Sequence, residues 1–145
     1  MKNRVTEILG SEYPILQGAM RCISLADLAA AVSRAGAFGI IGASGMEGNA
    51  LREEIRKARS LTPKPFGLNI PIYRPNAFEA LEIAVEEGIK TITTSAGDPV
   101  KLIKRVKEAG LRMLQVVATV EMAKKAEAEG GRRSHRYRGS CEKIM

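Results

Sequence analysis

The sequence predicts a parallel α/β architecture, and three observations carry that prediction. Five short runs rich in β-branched and apolar residues recur along the chain: YPILQG (13–18), FGIIGAS (38–44), PFGLNIPI (65–72), KTITTSAG (90–97) and LRMLQVVAT (111–119). Amphipathic segments of helical spacing separate them, so that a strand and a helix together repeat about every 25 residues. Each run reads as a strand largely buried on both faces and in need of crossover helices to cover it.

The helices follow in order. In the first, Ser24 with Asp27 three residues on makes a capping-box-like start, Leu25, Leu28, Ala29 and Val32 share one face, and Gly36 ends it. The second, over 49–61, places Leu51, Ile55 and Ala58 together and leaves Arg52, Glu53, Arg56 and Lys57 to solvent. The third opens after Pro75 and Asn76, carries Phe78, Leu81 and Val85, and closes at Gly88. The fourth begins with Asp98 as cap and Pro99 in the first turn, buries Leu102, Ile103 and Val106, and stops at Gly110, with positions 101, 104, 105 and 107 as its solvated face. The fifth, over 119–129, starts at Thr119 and stops at Gly130.

An open doubly wound sheet and a barrel both satisfy this pattern. No G-x-G-x-x-G follows the first run, and the glycines of GIIGASGMEG are wrongly spaced for it. The regular unit length matches a (β/α)8 barrel of about 250 residues. The expectation is a TIM-barrel-family chain holding only about the first five β/α units, an incomplete barrel.

At 145 residues with 45% hydrophobic and 27% charged content, the chain is expected to form one soluble domain. It has no apolar stretch of about 18 residues, and MKNRVTEILG lacks a signal core, so a cytoplasmic location without membrane association is expected. Cys22 and Cys141 stand far apart with no ligand spacing around them, which predicts neither a metal site nor a disulfide. More than half of the net charge of +7 sits in GRRSHRYRGSCEKIM (131–145), and the rest is only mildly basic. That tail has no repeated basic-aromatic pattern, which argues against nucleic acid.

In a β/α barrel the functional face lies at the strand C-termini. Those ends read Gly18-Ala19-Met20, Gly42-Ala43-Ser44, Asn69-Ile70-Pro71, Thr94-Ser95-Ala96-Gly97 and Ala118-Thr119. They are small, uncharged and hydrogen-bonding. Such a wall suits a flat polar heterocycle such as a flavin and not hydrolysis, because Asp98 is the only carboxylate near it and no histidine is there; the pattern reads equally well as small residues where loops turn tightly. Asn69 is an amide inside an apolar run, so it must bond to something, and a ligand is the reading adopted. Met20 fits either a cofactor wall or a core gap. Ser95 and Thr94 read equally well as loop caps.

RVTEILG-x-x-YPILQGAM, LAAAVSRAGAFGIIGAS, LREEIRKARSLTPKPFGLNI, TITTSAGDPVKLIKRVKEAG and QVVATVEMAKKAEAEG together resemble the nitronate monooxygenase (2-nitropropane dioxygenase) family over residues 4 to 130. The flavin-type enoyl-acyl-carrier-protein reductases share the pattern. The resemblance implies an FMN-binding barrel in which Gly18, Ala19, Met20 and Asn69 contact the cofactor. The family usually has glycine where Ala19 and Ser95 stand. The implied chemistry is oxidation of an alkyl nitronate with O2, or reduction of an enoyl thioester by NAD(P)H; the resemblance leaves the oligomeric state open.

The match ends at Gly130. There the family continues with a sixth strand of the type G-A-D-A-V-I-A-x-E-G and then a histidine that acts as base, whereas this chain has GRRSHRYRG. His135 has none of that context, so no catalytic residue is assigned. Codons can be chosen for the tail that, shifted by one base, read Ala-Asp-Ala-Val-Val-Ile-Ala-Ile-Glu-Gly. The expectation is a 1–130 portion of the FMN barrel followed by a 131–145 tail that is frameshifted, the chain alone being an inactive and poorly stable fragment. A third reading, from another class, is a non-enzymatic half barrel that binds an acidic partner through its tail.

Overall fold

The computed structural model describes residues 3–98, 100–128 and 143–144. Four parallel strands, β1 (Gly39–Gly42), β2 (Phe66–Pro71), β3 (Thr91–Ser95) and β4 (Arg112–Val117), lie side by side in chain order. Helices α3 (Gly48–Leu61), α4 (Ala77–Glu86) and α5 (Val100–Glu108) connect them; α1 (Arg4–Leu9) and α2 (Ala26–Arg34) precede β1, and α6 (Val120–Ala128) follows β4. The strand order never reverses. A doubly wound sheet reverses at its switch point, so sequential growth in one direction is the barrel topology.

The first expected strand is reduced to one parallel bridge, Leu16 to Phe38, held by Gln17 N–H to Phe38 O at 3.0 Å and Phe38 N–H to Ile15 O at 2.9 Å. It is not buried on both faces: Ile15 is 59% exposed. With a neighbour on one side only, it has no second ladder to extend it. On the far edge, β5 (Lys143–Ile144) runs antiparallel to Val116 and Val117. Pro99, His135, Cys141 and most of the 131–145 tail lie outside the described residues. Cys22 is a free, exposed thiol.

Alternation along the strands sorts side chains between two faces. Ile41, Phe66, Leu68, Ile70 and Ile92 join one core cluster with Ala29 of α2, Leu51 and Ile55 of α3, Leu81 of α4 and Leu102 of α5. Gly39 lets α2 approach: a Cβ there would stand 2.0 Å from Ala29 O. On the second face Phe38 and Ile40 cluster with Leu9, and Val5, Ile8, Leu16 and Leu114 pack against them.

Several helix details differ from the sequence reading, among them the face of α2: Ala26, Ala29, Ala30 and Ser33 are buried, while Leu25, Leu28 and Val32 are half-buried. Ser24 does not cap α2: Leu25 holds the cap position, and the Ala26 N–H donates to Glu54 Oε2 at 2.7 Å. Phe78 is 53% exposed, because the buried stripe of α4 is built on Ala77, Ala80, Leu81 and Ala84, and Phe78 falls about 100° from Ala77 around the helix. The caps of the last helices match expectation, with Val100 N–H donating to Asp98 Oδ1 at 3.1 Å and Met122 N–H to Thr119 Oγ1 at 3.2 Å.

Charge stitches the helix layer together. Glu87, just past α4, is buried; Arg56 donates to its carboxylate at 2.7 and 3.0 Å, and Arg52 and Arg59 each lie 3.8 Å away. Arg105, expected on the solvated face, instead makes a bidentate pair with Glu82 at 2.7 and 2.8 Å. No helix among the described residues is long and apolar enough to cross a membrane.

Candidate functional site

Beyond Gln17 the chain leaves the sheet edge and turns back toward the end of β1. The Met20 N–H donates to Ser24 Oγ at 2.8 Å, and the Met20 carbonyl accepts from Ser24 N–H at 2.9 Å and Ile23 N–H at 3.2 Å. The backbone N–H groups of Gly18 and Ala19 donate to nothing among the described residues. Gly18, Ala19 and Met20 are all exposed, and a Cβ at Gly18 would meet no atom within 4 Å.

Gly42 joins this segment to Asn69. Its Cβ direction points at Met20 O (3.4 Å) and Ala19 Cβ (3.8 Å), and across the ladder Gly42 stands in register with Asn69. Glycine on that row leaves room for the segment to lie against the sheet. Ala19 and Met20 are thus brought, through Gly42, to the corner of the second face where Asn69 stands, with Gly18 just before them in the chain.

Asn69 is 7% exposed, and its Nδ2 donates to Thr93 Oγ1 at 2.9 Å, with Thr93 O at 3.4 Å and Ser95 Oγ at 3.5 Å. Its Oδ1 takes part in none of these bonds. The buried amide therefore has an internal partner and keeps an acceptor in reserve. Ser95 belongs to this group rather than to a loop cap. Thr94 faces the other way, fully buried, donating to Gln115 Oε1.

Arg21 follows Met20 directly, and its guanidinium stands beside Gly45, 3.3 Å from where a Cβ there would stand. Asp98 accepts from Val100 N–H and pairs with Lys125 at 2.9 Å, so it is spent as a cap. The groups displaced from their ordinary values all lie in the helix layer: hydrogen bonds from Arg56 and Arg105 hold the Glu87 and Glu82 carboxyls below theirs, although burial opposes it. Among the described residues no three His, Cys, Asp or Glu gather as a metal would require. A shallow groove lined by Cys22, Leu25, Ser44, Met46, Glu53 and Glu54 lies beside the corner and includes none of the predicted residues.

Two features went unread in the sequence. Gln17 reads there as one more strand residue, yet its Oε1 accepts from Ile40 N–H at 3.0 Å and its Nε2 donates to Ser24 Oγ at 2.9 Å. Arg74, after β2, has a buried Nε with no partner among the described residues, and its guanidinium stands 5.9 Å from the Tyr73 ring centroid.

The profile of the nitronate monooxygenase family matches residues 2–133. The chain belongs to that family. Nitronate monooxygenases are flavin-dependent oxidoreductases on the β/α barrel, the fold described above. The structure of FabK from Thermotoga maritima superposes with a TM-score of 0.87 at 40% identity, over 90% of this chain and 42% of that one. A nitronate monooxygenase of Pseudomonas aeruginosa is 40% identical over 105 residues, 70% of this chain and 30% of its own length. A 5-hydroxy-7a-methyl-1-oxo-octahydro-1H-indene-4-carboxyl-CoA dehydrogenase of Mycobacterium tuberculosis is 31% identical over 130 residues, 90% of this chain and 37% of its own. The chain thus spans less than half the length of each of these relatives.

The donor set at this corner is compatible with a flavin: free backbone N–H groups and an amide with a reserve acceptor are what a heterocycle presenting both donors and acceptors would need.

Proposed function

We propose that this chain supplies the FMN-facing strand ends of a nitronate monooxygenase-type oxidoreductase. The observation that carries the reading is the convergence of two unpartnered amides, Gly18 and Ala19, with the buried amide of Asn69 at one corner of the sheet. Gly18 and Ala19 would hold the cofactor by backbone donation, with Met20 and the side-chain amide of Asn69 as its further contacts. FMN, when bound, supplies electron transfer, here between an alkyl nitronate and O2. The protein's part is to bind and place the cofactor.

Reduction of an enoyl thioester by NAD(P)H is the second reading. It is favoured by the likeness to FabK, at 40% identity over 90% of this chain. In both readings the cofactor contacts fall within residues 1–130 and no base is assigned in the 131–145 tail, so the chain alone is expected to turn over neither substrate, and whether it takes up FMN unaided is what the titration decides.

The test is an FMN titration followed by flavin fluorescence, with nitrite release from alkyl nitronates and NADH oxidation with an enoyl thioester measured alongside. Asn69→Ala is expected to weaken FMN binding about tenfold, the worth of one buried hydrogen bond. Equal affinity in variant and parent would remove Asn69 from the site. Sequencing the gene through codons 126–145 tests the frameshift: codons unable to yield Ala-Asp-Ala-Val in a shifted frame end that proposal.

A further inference from the structure

We propose that Gln17 and Ser24 are positioning residues that set the amides of Gly18 and Ala19 for the flavin; this rests on the FMN reading above. Ser24 is fully buried although it caps no helix, and its hydroxyl sits at the centre of three contacts. It accepts from the Met20 N–H at 2.8 Å and from Gln17 Nε2 at 2.9 Å, and Gly18 O stands 3.5 Å away. Gln17 Nε2 also donates to Gly18 O, while its Oε1 is anchored on the Ile40 N–H of β1 at 3.0 Å. The Ser24 carbonyl accepts from Gly42 N–H at 2.9 Å.

The segment from 18 to 20 is therefore pinned from below at both ends. With the Gly18 and Met20 carbonyls and the Met20 N–H committed inward, the Gly18 and Ala19 N–H groups are the donors left over. A loop so held presents them without reorganising, which is where preorganisation gains affinity. A bare Gly-Ala pair without this frame has many backbone states and loses entropy on binding.

The test combines amide hydrogen exchange with FMN titration on the full chain and on Ser24→Ala, Gln17→Met and Gln17→Glu. Ser24→Ala and Gln17→Met are expected to speed exchange at Met20 about tenfold while the β2 and β3 ladders keep their protection, and to weaken FMN binding about tenfold. Gln17→Glu keeps the acceptor for Ile40 N–H and loses the donor to Ser24, so it is expected to keep Ile40 protected while Met20 loosens. Such site-limited loss distinguishes positioning from general loss of stability. Unchanged exchange at Met20 overturns the proposal, as does unchanged FMN affinity in a variant whose Met20 has loosened. A parent chain that takes up no FMN overturns the flavin reading instead. In that case Met20 exchange still decides whether Gln17 and Ser24 hold the loop.

Discussion

Gly39→Ala is expected to lower stability by about 3 kcal/mol or more, near the top of the range for overpacking. The added methyl would stand 2.0 Å from Ala29 O, 2.7 Å from its carbonyl carbon and 2.8 Å from its Cα. All three are backbone atoms of α2, so no rotamer change relieves the contact, and the helix must lift from the sheet. Lifting it parts Ala26 and Ala29 from Ile41, which are fully buried together. Urea unfolding reads this directly, with Gly18→Ala as control, since its Cβ meets nothing within 4 Å and an effect within about 0.5 kcal/mol is expected. Equal midpoints for Gly39→Ala and the parent would mean that α2 does not pack on β1 as described.

Glu87→Ala is expected to cost about 2 to 3 kcal/mol, the worth of hydrogen bonds to a buried charge. It removes the acceptor of Arg56 and the counter-charge of Arg52 and Arg59, leaving three guanidinium groups close together at the α3–α4 seam. Partial exposure of the arginines keeps the figure below that of a fully enclosed pair. The effect depends on pH in a definite sense. The Arg56 hydrogen bond holds the folded carboxyl below its ordinary 4.5, against the opposing cost of burial, so the unfolded chain takes up the proton first. Its contribution is full above that ordinary value and disappears as pH falls through the folded value. Glu82, held down by Arg105, acts in the same direction. Urea midpoints for parent and Glu87→Gln are expected to differ most near neutrality and to converge in acid; a gap that widens in acid would contradict the pairing.

The helices that could be read from the sequence were those whose burial follows from neighbours three and four residues away, such as Leu51, Ile55 and Ala58 in α3 or Leu102 and Val106 in α5. Phe78 shares a helical spacing with Leu81 and Val85, but the seam of α4 with the sheet is filled by Ala77, Ala80, Leu81, Ile83 and Ala84, a face that the largest apolar residue does not mark. The length of the first strand depends on what lies on its other side, and no local period encodes that. At the site, Asn69 stood out as an amide among apolar residues. Its partners Thr93 and Ser95 lie 24 and 26 residues away and became visible only once the β2–β3 register was known. Gln17 and Ser24 were hidden for the same reason: a glutamine after four strand-like residues and a serine before a helix each have an ordinary local explanation.

Helix α1 gives the second face a direction. Leu9, with Val5 and Ile8 beside it, closes on Phe38 and Ile40, so that one end of the face is hydrocarbon, while Asn69, Thr93 and Ser95 make the other end polar. On the flavin reading proposed above, a ring that turned its heteroatoms toward Leu9 and Phe38 would strand them against hydrocarbon, so this slope from apolar to polar would favour one way round over the other.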